Sequence, residues 1–381
     1  MSISKKNLLL YITTGLGSGG GQTILYNLLS RLDKDKFQLA VISLMDNGIF
    51  GELINDLGIP VYTIGMKQGI PTPTALWRLI NITNKLKPDL IQGWMYHGNL
   101  AAYLASIFLL RKIPVFWSIH HSINSLSSEK LLTRLIIKIG VYISPFIDKI
   151  LFVSGKSKLQ HKAIGYSVSN CFVIPNGFDT SLFQPSLEEK LKFKQKLELA
   201  EDTFLIGLFA RYHPMKDHAN FINAARILCA NHKNVHFVLA GNGTDSSNQE
   251  LNNLIQQSGV SSQFHLLGEQ SDMHYLTATL DIMTLSSAYG EAFPLVVGEA
   301  MSCGIPCVVT DVGDSAWIVG DTGIVVPPKD SKALANAWQK LIALNQEERE
   351  ALGRLARVRI DKFFSLDSIV SDYEKFYCST I

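Results

Sequence analysis

The sequence predicts an α/β protein of two doubly wound parallel sheets facing across a cleft, and three observations carry that expectation. The chain has 381 residues, too many for one ordinary core and enough for two domains of about 150–200 residues each. Its composition, 47% hydrophobic and only 18% charged, excludes intrinsic disorder and leaves an unusually apolar surface. Short runs rich in Val, Ile and Leu alternate with helical patterns from end to end, as parallel strands covered by helices require.

In the first half, strands are expected at Leu8–Ile12, Leu39–Ser43, Val61–Ile64, Leu90–Gln92, Val115–Trp117, Ile150–Val153 and Phe172–Ile174. A seam follows near Pro175–Pro185, where Pro-Asn-Gly-Phe-Asp carries turn chemistry. After a charged helical stretch, Ser186–Leu199, strands recur at Phe204–Leu208, His236–Leu239, Phe264–Leu267, Ile282–Leu285, Cys307–Val309 and Ile324–Val326. Ligands of open α/β sheets bind outside the carboxyl ends of the strands, so the cleft is the expected site.

No run of about 18 uninterrupted apolar residues occurs, because Arg111–Lys112, Lys138 and Lys149 break the candidates, so no membrane span is expected. The basic-then-apolar start reads as a buried first strand of a cytoplasmic protein, since Gly15 ends it and no cleavage site follows. Five scattered cysteines argue against a disulfide framework. Cys303 and Cys307 lack the further ligands a zinc site needs, so no metal is expected. The net charge of +2 conceals an asymmetry: residues 1–180 hold 18 Lys/Arg and 9 Asp/Glu, or +9, and 181–381 hold 17 and 24, or −7. The two halves therefore face different partners.

Gly15-Leu-Gly17-Ser-Gly19-Gly20-Gly21 follows the first strand and precedes a helix over Gln22–Leu32. It formally satisfies the dinucleotide fingerprint, but the acid wanted at the end of the second strand is displaced to Asp46, in the loop beyond. A plain tight turn, a phosphate or acceptor loop and a nicotinamide site all remain open. Asp33-Lys-Asp35, the one Asp-x-Asp triplet, reads as solvated turn sequence.

The densest signal runs from Ser286 to Pro306 and contains Glu291, Pro294, Glu299 and Gly304. Pro294 suits a first helical position, Gly304 a C′ position, and Pro306 forbids continuation, so a helix is expected over Phe293–Cys303. Its amino end, with free N–H groups and the positive pole of the dipole, suits a diphosphate. Glu291 and Glu299 would repel phosphate and instead suit the vicinal hydroxyls of a ribose or hexose; alternatively Glu299 pairs with a base in the helix packing. Arg211 and Lys216 flank a loop before a helix beginning near Asp217, and a guanidinium fork with an ammonium can clamp two linked phosphates.

Arg211-x4-Lys216 followed by Glu291-x7-Glu299 resembles the retaining nucleotide-sugar glycosyltransferases of the GT-B fold, glycosyltransferase family 4 (group 1). Phe152-Val-Ser154, Ile174-Pro-Asn176-Gly-Phe-Asp179, Leu239-Ala-Gly241-Asn-Gly243, Leu267-Gly268 and Thr310-Asp311-Val-Gly313 extend the likeness over most of the chain. The resemblance implies two Rossmann-like domains, an acceptor-side one over 1–182 and a donor-side one over 183–363, with a helix over 364–381 packing back onto the first. It implies that Glu299 binds the donor ribose, Glu291 contacts the hexosyl unit, and Arg211 and Lys216 hold the diphosphate. Ala292, Phe293, Pro294 and Leu295 at the helix start, with Gly241 and Gly243, complete the expected donor site. Ala210, Asp217 and Asp314 stand where relatives often have glycine, which leaves the donor's identity open.

In the basic half, Gln92-Gly-Trp94-Met-Tyr96-His97-Gly-Asn99 and Trp117-Ser-Ile-His120-His121-Ser122 each follow a strand and are expected to overhang the cleft. By its place in the motif, His120 looks like the family histidine beside the sugar and acceptor, with His97, His121 and the loop of Gly17, Gly19 and Gly20 as further acceptor or phosphate contacts. These stretches are also similar to those of bacterial enzymes that build O-antigen, lipopolysaccharide or capsule repeats.

The reading is a metal-independent hexosyltransferase without a cofactor, using a nucleoside-diphosphate sugar, UDP-linked by preference, and a polyprenyl-diphosphate-linked glycan. No nucleic-acid partner is expected. Epimerase, non-catalytic scaffold and NAD-dependent dehydrogenase are the alternatives. Lys130, Arg134 and Lys138 recur at a spacing of four and form one helical stripe flanked by Leu131, Leu132, Leu135, Ile136 and Ile139. Seven Lys/Arg against Asp148 alone between Lys130 and Lys162 predict peripheral, salt-sensitive association with the anionic inner leaflet of the plasma membrane. The alternative is a core helix whose polar stripe faces water.

Overall fold

The computed structural model describes residues 6–67, 72–123 and 125–381. The chain divides into two compact units: residues up to Gly177 together with Leu366–Ile381, and Phe178–Ser365.

The first unit is a seven-stranded parallel sheet of β1 (Asn7–Thr13), β2 (Phe37–Ser43), β3 (Val61–Thr63), β4 (Leu90–Trp94), β5 (Val115–Ile119), β6 (Lys149–Phe152) and β7 (Cys171–Val173), in the order β3-β2-β1-β4-β5-β6-β7. Its central strands are mostly apolar and buried because both faces are covered. Alternate residues of β1 enter opposite cores: Leu8, Leu10 and Ile12 join one with Ala102, Trp117 and Phe152, while Leu9 and Tyr11 join the other with Leu25, Leu29 and Phe116. The second core is completed by the C-terminal helix Leu366–Cys378, which contributes Ile369, Val370, Tyr373 and Tyr377. Tyr11 and Tyr377 hydroxyls meet at 2.8 Å beneath the sheet, giving each buried phenol a partner.

The second unit is a six-stranded parallel sheet of β8 (Phe204–Phe209), β9 (Val235–Ala240), β10 (Phe264–Leu266), β11 (Ile282–Leu285), β12 (Cys307–Thr310) and β13 (Ile324–Val326), in the order β10-β9-β8-β11-β12-β13. One face packs around Trp338, Phe221 and Phe237. All thirteen expected strands are present, shifted by a few residues at their ends.

The division falls at Gly177–Phe178 rather than at 182–183, for a packing reason. Phe178 donates its N–H to the Phe364 carbonyl (2.9 Å) and its ring slides under Gly298, where a Cβ would lie 2.1 Å away. It also stacks on Phe293 at 6.1 Å. Among the described residues, no helix is long and apolar enough to cross a membrane.

In both sheets the strand order reverses direction between two neighbours, β1 and β4 in one, β8 and β11 in the other. Chains leaving the carboxyl ends of such a pair diverge to opposite faces and open a crevice.

Candidate functional site

The crevice between β8 and β11 gathers the donor-side residues expected from sequence. Past β8, Arg211 is exposed, and Pro214–Lys216 forms a short 3-10 turn that Lys216 ends. Asp217 then takes a left-handed conformation, φ 49°, and caps helix His218–Cys229 by accepting from the Asn220 N–H. Asp tolerates that conformation better than most side chains, which explains how it stands where glycine is frequent. The loop is braced by the turn after β9. Gly241 lies so close that a Cβ would sit 2.5 Å from the Ala210 carbonyl oxygen, and Tyr212 N–H donates to Asn242 O at 2.7 Å. Gly243, also at positive φ, packs against Tyr212.

Past β11, the segment Ser286–Pro294 closes over the same crevice. The Ala288 N–H donates to the Met215 carbonyl (2.8 Å) and the Ser286 hydroxyl to the Lys216 carbonyl (2.7 Å). These bonds deliver Lys216 Nζ to within 2.5 Å of Glu291 Oε1, which also accepts from the Ser287 hydroxyl at 2.6 Å. Both partners are largely buried, at 17% and 9% side-chain exposure, so the pair is shielded from screening. An ammonium has three donors, so this bond leaves two for another anion. Sequence reasoning assigned Glu291 and Lys216 separately and missed both their pairing and Ser287.

The helix that follows is shorter than expected, Leu295–Ser302 in place of 293–303. Pro294 is not its first residue: with ψ 118° it is the extended N-cap, and Phe293 is left outside to stack on Phe178. Ala292 and Phe293 are buried, and the Ala292 carbonyl accepts from the Asp314 N–H at 2.9 Å. Gly304 takes φ 70° at the other end, as the C′ position demands. Glu299 sits a turn inside the helix, and among the described residues no side chain pairs with its carboxylate. That removes the expected alternative of a basic partner in the packing. Although Glu299 keeps some exposure, loss of water around it pushes its carboxyl up to about 7.

The acceptor-side candidates lie at the β1–β4 crevice and on neighbouring β5. Gly19 caps helix Gly20–Arg31, and Gly17 is open, with nothing among the described residues within 4 Å of a Cβ placed there. The glycine loop is held by the Trp94 indole, which donates to the Gly21 carbonyl at 2.8 Å. The stretch after β4 is not a loop: helix Met95–Ile107 begins at once, with Met95 at φ 62° and Gly98 against the Ile12 carbonyl, so His97 rides half-buried in its first turn. The His120 ring lies tilted against Trp94, ring centroids 4.2 Å apart, and among the described residues both its buried ring nitrogens lack a hydrogen-bond partner. Burial pushes its imidazole down to about 3, so it is neutral. His121 instead meets Glu129, Nε2 to Oε1 2.7 Å, and that contact holds the Glu129 carboxyl below its ordinary range. Trp94 and Glu129 were not anticipated.

Asp33 and Asp35 sit in a turn, where Asp33 accepts the Asp35 N–H (2.8 Å) and pairs with Lys36 (3.0 Å). Cys171, Cys229, Cys303 and Cys307 are buried free thiols.

Residues 18–182 match the family model described as Glycosyltransferase Family 4, and residues 189–359 match the one described as Glycosyl transferases group 1. A Bacillus subtilis protein, EpsF, provisionally named a glycosyltransferase, is 25% identical over 323 residues, covering 82% of this chain and 80% of its own. The Escherichia coli UDP-Gal:alpha-D-GlcNAc-diphosphoundecaprenol alpha-1,3-galactosyltransferase is 27% identical over 169 residues, 43% of each chain. Among solved structures, Anabaena HepE in complex with UDP and glucose superposes with a TM-score of 0.84 at 23% identity, covering 97% of this chain and 99% of that one.

Proposed function

From a chain that is a glycosyltransferase, built of a family 4 domain followed by a group 1 domain on the two Rossmann-like sheets of the GT-B fold, we propose a specific reaction. It moves a hexosyl unit, with retention of anomeric configuration, from a nucleoside-diphosphate sugar to a hydroxyl of a lipid-linked bacterial glycan. The observation that carries this reading is the β8–β11 crevice, where Lys216, Glu291 and Ser287 meet beside the amino end of helix Leu295–Ser302, with Arg211 exposed on the facing loop.

The chemistry follows from the charges. As the bond between the sugar and the diphosphate breaks, negative charge grows on the leaving oxygen. Arg211, the two remaining Lys216 donors and the helix N–H groups meet that charge, doing what a divalent ion does elsewhere. The leaving phosphate oxygen takes the acceptor proton on the same face of the sugar. Glu291, held in place by Lys216 and Ser287, accepts hydrogen bonds from the hexosyl hydroxyls. Glu299, ionised, accepts from the ribose. His120, neutral, offers a donor and an acceptor nitrogen to the sugar or acceptor. The UDP and glucose bound by HepE and the diphosphoundecaprenol acceptor of the E. coli relative support the two substrate classes.

A thermal-shift screen across nucleotide sugars finds the donor through ligand stabilisation. Proton NMR of the product anomer, formed from that donor, then tests retention: an inverted anomer refutes the same-face mechanism.

A further inference from the structure

Between Arg211 and Lys216, the loop after β8 carries an imidazole that the donor reading leaves unused. The backbone sets its direction. Exposure alternates along the loop: Arg211 and His213 are exposed, whereas Tyr212 turns inward against Gly243 and the His218 ring, centroids 5.1 Å apart. His213 is itself extended, with φ −160° and ψ 143°. Alternate residues of an extended chain share a side, so Arg211 and His213 leave the loop together. Desolvation, and after it the charges of Arg211 and Lys216, hold the His213 imidazole below its ordinary range. The ring is therefore neutral at pH 7 and within electrostatic reach of both cations.

One ring nitrogen is already committed. His213 caps the 3-10 turn Pro214–Lys216, and its Nδ1 accepts the Met215 N–H at 3.2 Å. An accepting nitrogen carries no proton, so in the neutral ring the proton sits on Nε2. Among the described residues Nε2 meets no hydrogen-bond partner, and it lies on an exposed side chain. The backbone of His213 holds the same turn, since the Lys216 N–H returns to its carbonyl at 2.8 Å. A single imidazole thus braces the turn that ends in Lys216 with one nitrogen and presents an N–H with the other.

We propose that His213 is a third contact of the donor diphosphate: its Nε2–H donates to an oxygen of the second phosphate, the one that Arg211 and Lys216 meet, while its Nδ1 keeps the turn capped. An N–H bonded to an ionised phosphate oxygen belongs to the stronger class of hydrogen bonds. A neutral donor also adds no repulsion to a loop that already carries two cations. An imidazolium could not fill both roles, because a proton on Nδ1 would oppose the Met215 N–H. A planar fork, an ammonium and a single N–H differ in reach and geometry, which suits the several oxygens of linked phosphates. This contact belongs to the diphosphate site proposed above and rests on that reading.

Two replacements separate a ligand contact from a brace of the turn. His213→Asn places an amide oxygen where Nδ1 lies, keeping a good cap and removing the distal N–H. His213→Gln places an amide nitrogen near Nε2, keeping a distal N–H and giving up the cap. Calorimetric titration of the full chain with UDP, dTDP, ADP and GDP, and with the matching monophosphates, reads the effect. For the diphosphate that the wild type binds, His213→Asn is expected to weaken affinity by about tenfold, while its monophosphate affinity and its melting temperature stay near those of the wild type. His213→Gln is expected to melt lower and to keep most of its diphosphate affinity. The reverse order, with His213→Asn like the wild type and His213→Gln weak, would show that the side chain serves only the turn and would overturn the proposal. Wild-type affinity in both variants, or equal losses for diphosphate and monophosphate, would overturn it too. No binding of any of the diphosphates by the wild type would refute the donor reading itself.

Discussion

Lys216 Nζ and Glu291 Oε1 lie 2.5 Å apart, although 75 residues separate them in the chain. Their meeting depends on β8 and β11 being neighbours in the sheet and on the Ser286 and Ala288 bonds that lace the two loops together. Glu291→Ala leaves a largely buried ammonium unpaired and is expected to cost about 3 kcal/mol of stability in a denaturant melt. Glu291→Gln keeps a hydrogen-bonding oxygen and costs less. Turnover falls on the order of 100-fold in both, because the carboxylate's charge is lost either way. Wild-type turnover in Glu291→Gln would remove Glu291 from the reaction.

Arg211 is exposed and Lys216 retains two donors, so both are available to a diphosphate. Arg211→Ala and Lys216→Ala should each weaken binding of the nucleoside-diphosphate sugar more than binding of the matching nucleoside monophosphate. Calorimetry on the two ligands reads the difference, and equal losses would place the cations elsewhere than on the second phosphate.

Glu299 makes a pH-dependent prediction. Its carboxyl is pushed up to about 7 by desolvation, so in the free protein it is protonated below that pH. Between the ordinary carboxylate value and about 7 the folded state binds a proton that the unfolded state has lost. The associated stability is complete in acid and disappears as pH rises through 7. Ribose hydroxyls donate to the ionised form, so donor affinity should rise with pH over the same interval and level off above it. Glu299→Gln should abolish that dependence and weaken binding by about 1–3 kcal/mol. An unchanged affinity in Glu299→Gln would show that the ribose lies elsewhere.

The buried histidines of the first unit predict the opposite slope. Burial depresses His120 to about 3 and His161 to about 4; His161 takes a hydrogen bond from the Tyr96 hydroxyl on Nε2 while its Nδ1–H reaches the Ser157 carbonyl. Both are neutral in the fold, whereas the unfolded chain protonates them below about 6.5. Their contribution is present above that pH and is lost as pH falls toward 3–4. Urea melts of His161→Gln and the wild type should therefore diverge above pH 6.5 and converge in acid. A constant gap would show that His161 binds its proton as tightly in the fold as in the unfolded chain.

The strands were legible because parallel strands buried on both faces must be apolar without interruption, as Leu8–Ile12 is. The cap at Asp217 and the stop at Gly304 were legible because they are local backbone chemistry. What the chain order hides is adjacency. The Lys216–Glu291 pair and the Trp94–His120 contact each join segments that only the sheet order brings together. The start of the helix after Pro294 was misplaced because its ψ is extended, so the proline caps the helix instead of opening it.

Transfer of a sugar whose diphosphate is neutralised by Arg211, Lys216 and a helix end needs no metal ion and fails without the Lys216 ammonium. The most direct measurement follows label from a radioactive nucleoside-diphosphate sugar into a polyprenyl-diphosphate-linked acceptor in the presence of EDTA, comparing the wild type with Lys216→Ala. Label is expected in the lipid fraction with one nucleoside diphosphate released per sugar moved, undiminished by EDTA and lost in the variant. Transfer abolished by EDTA and restored by magnesium or manganese, or donor converted without any label reaching the acceptor, would contradict it.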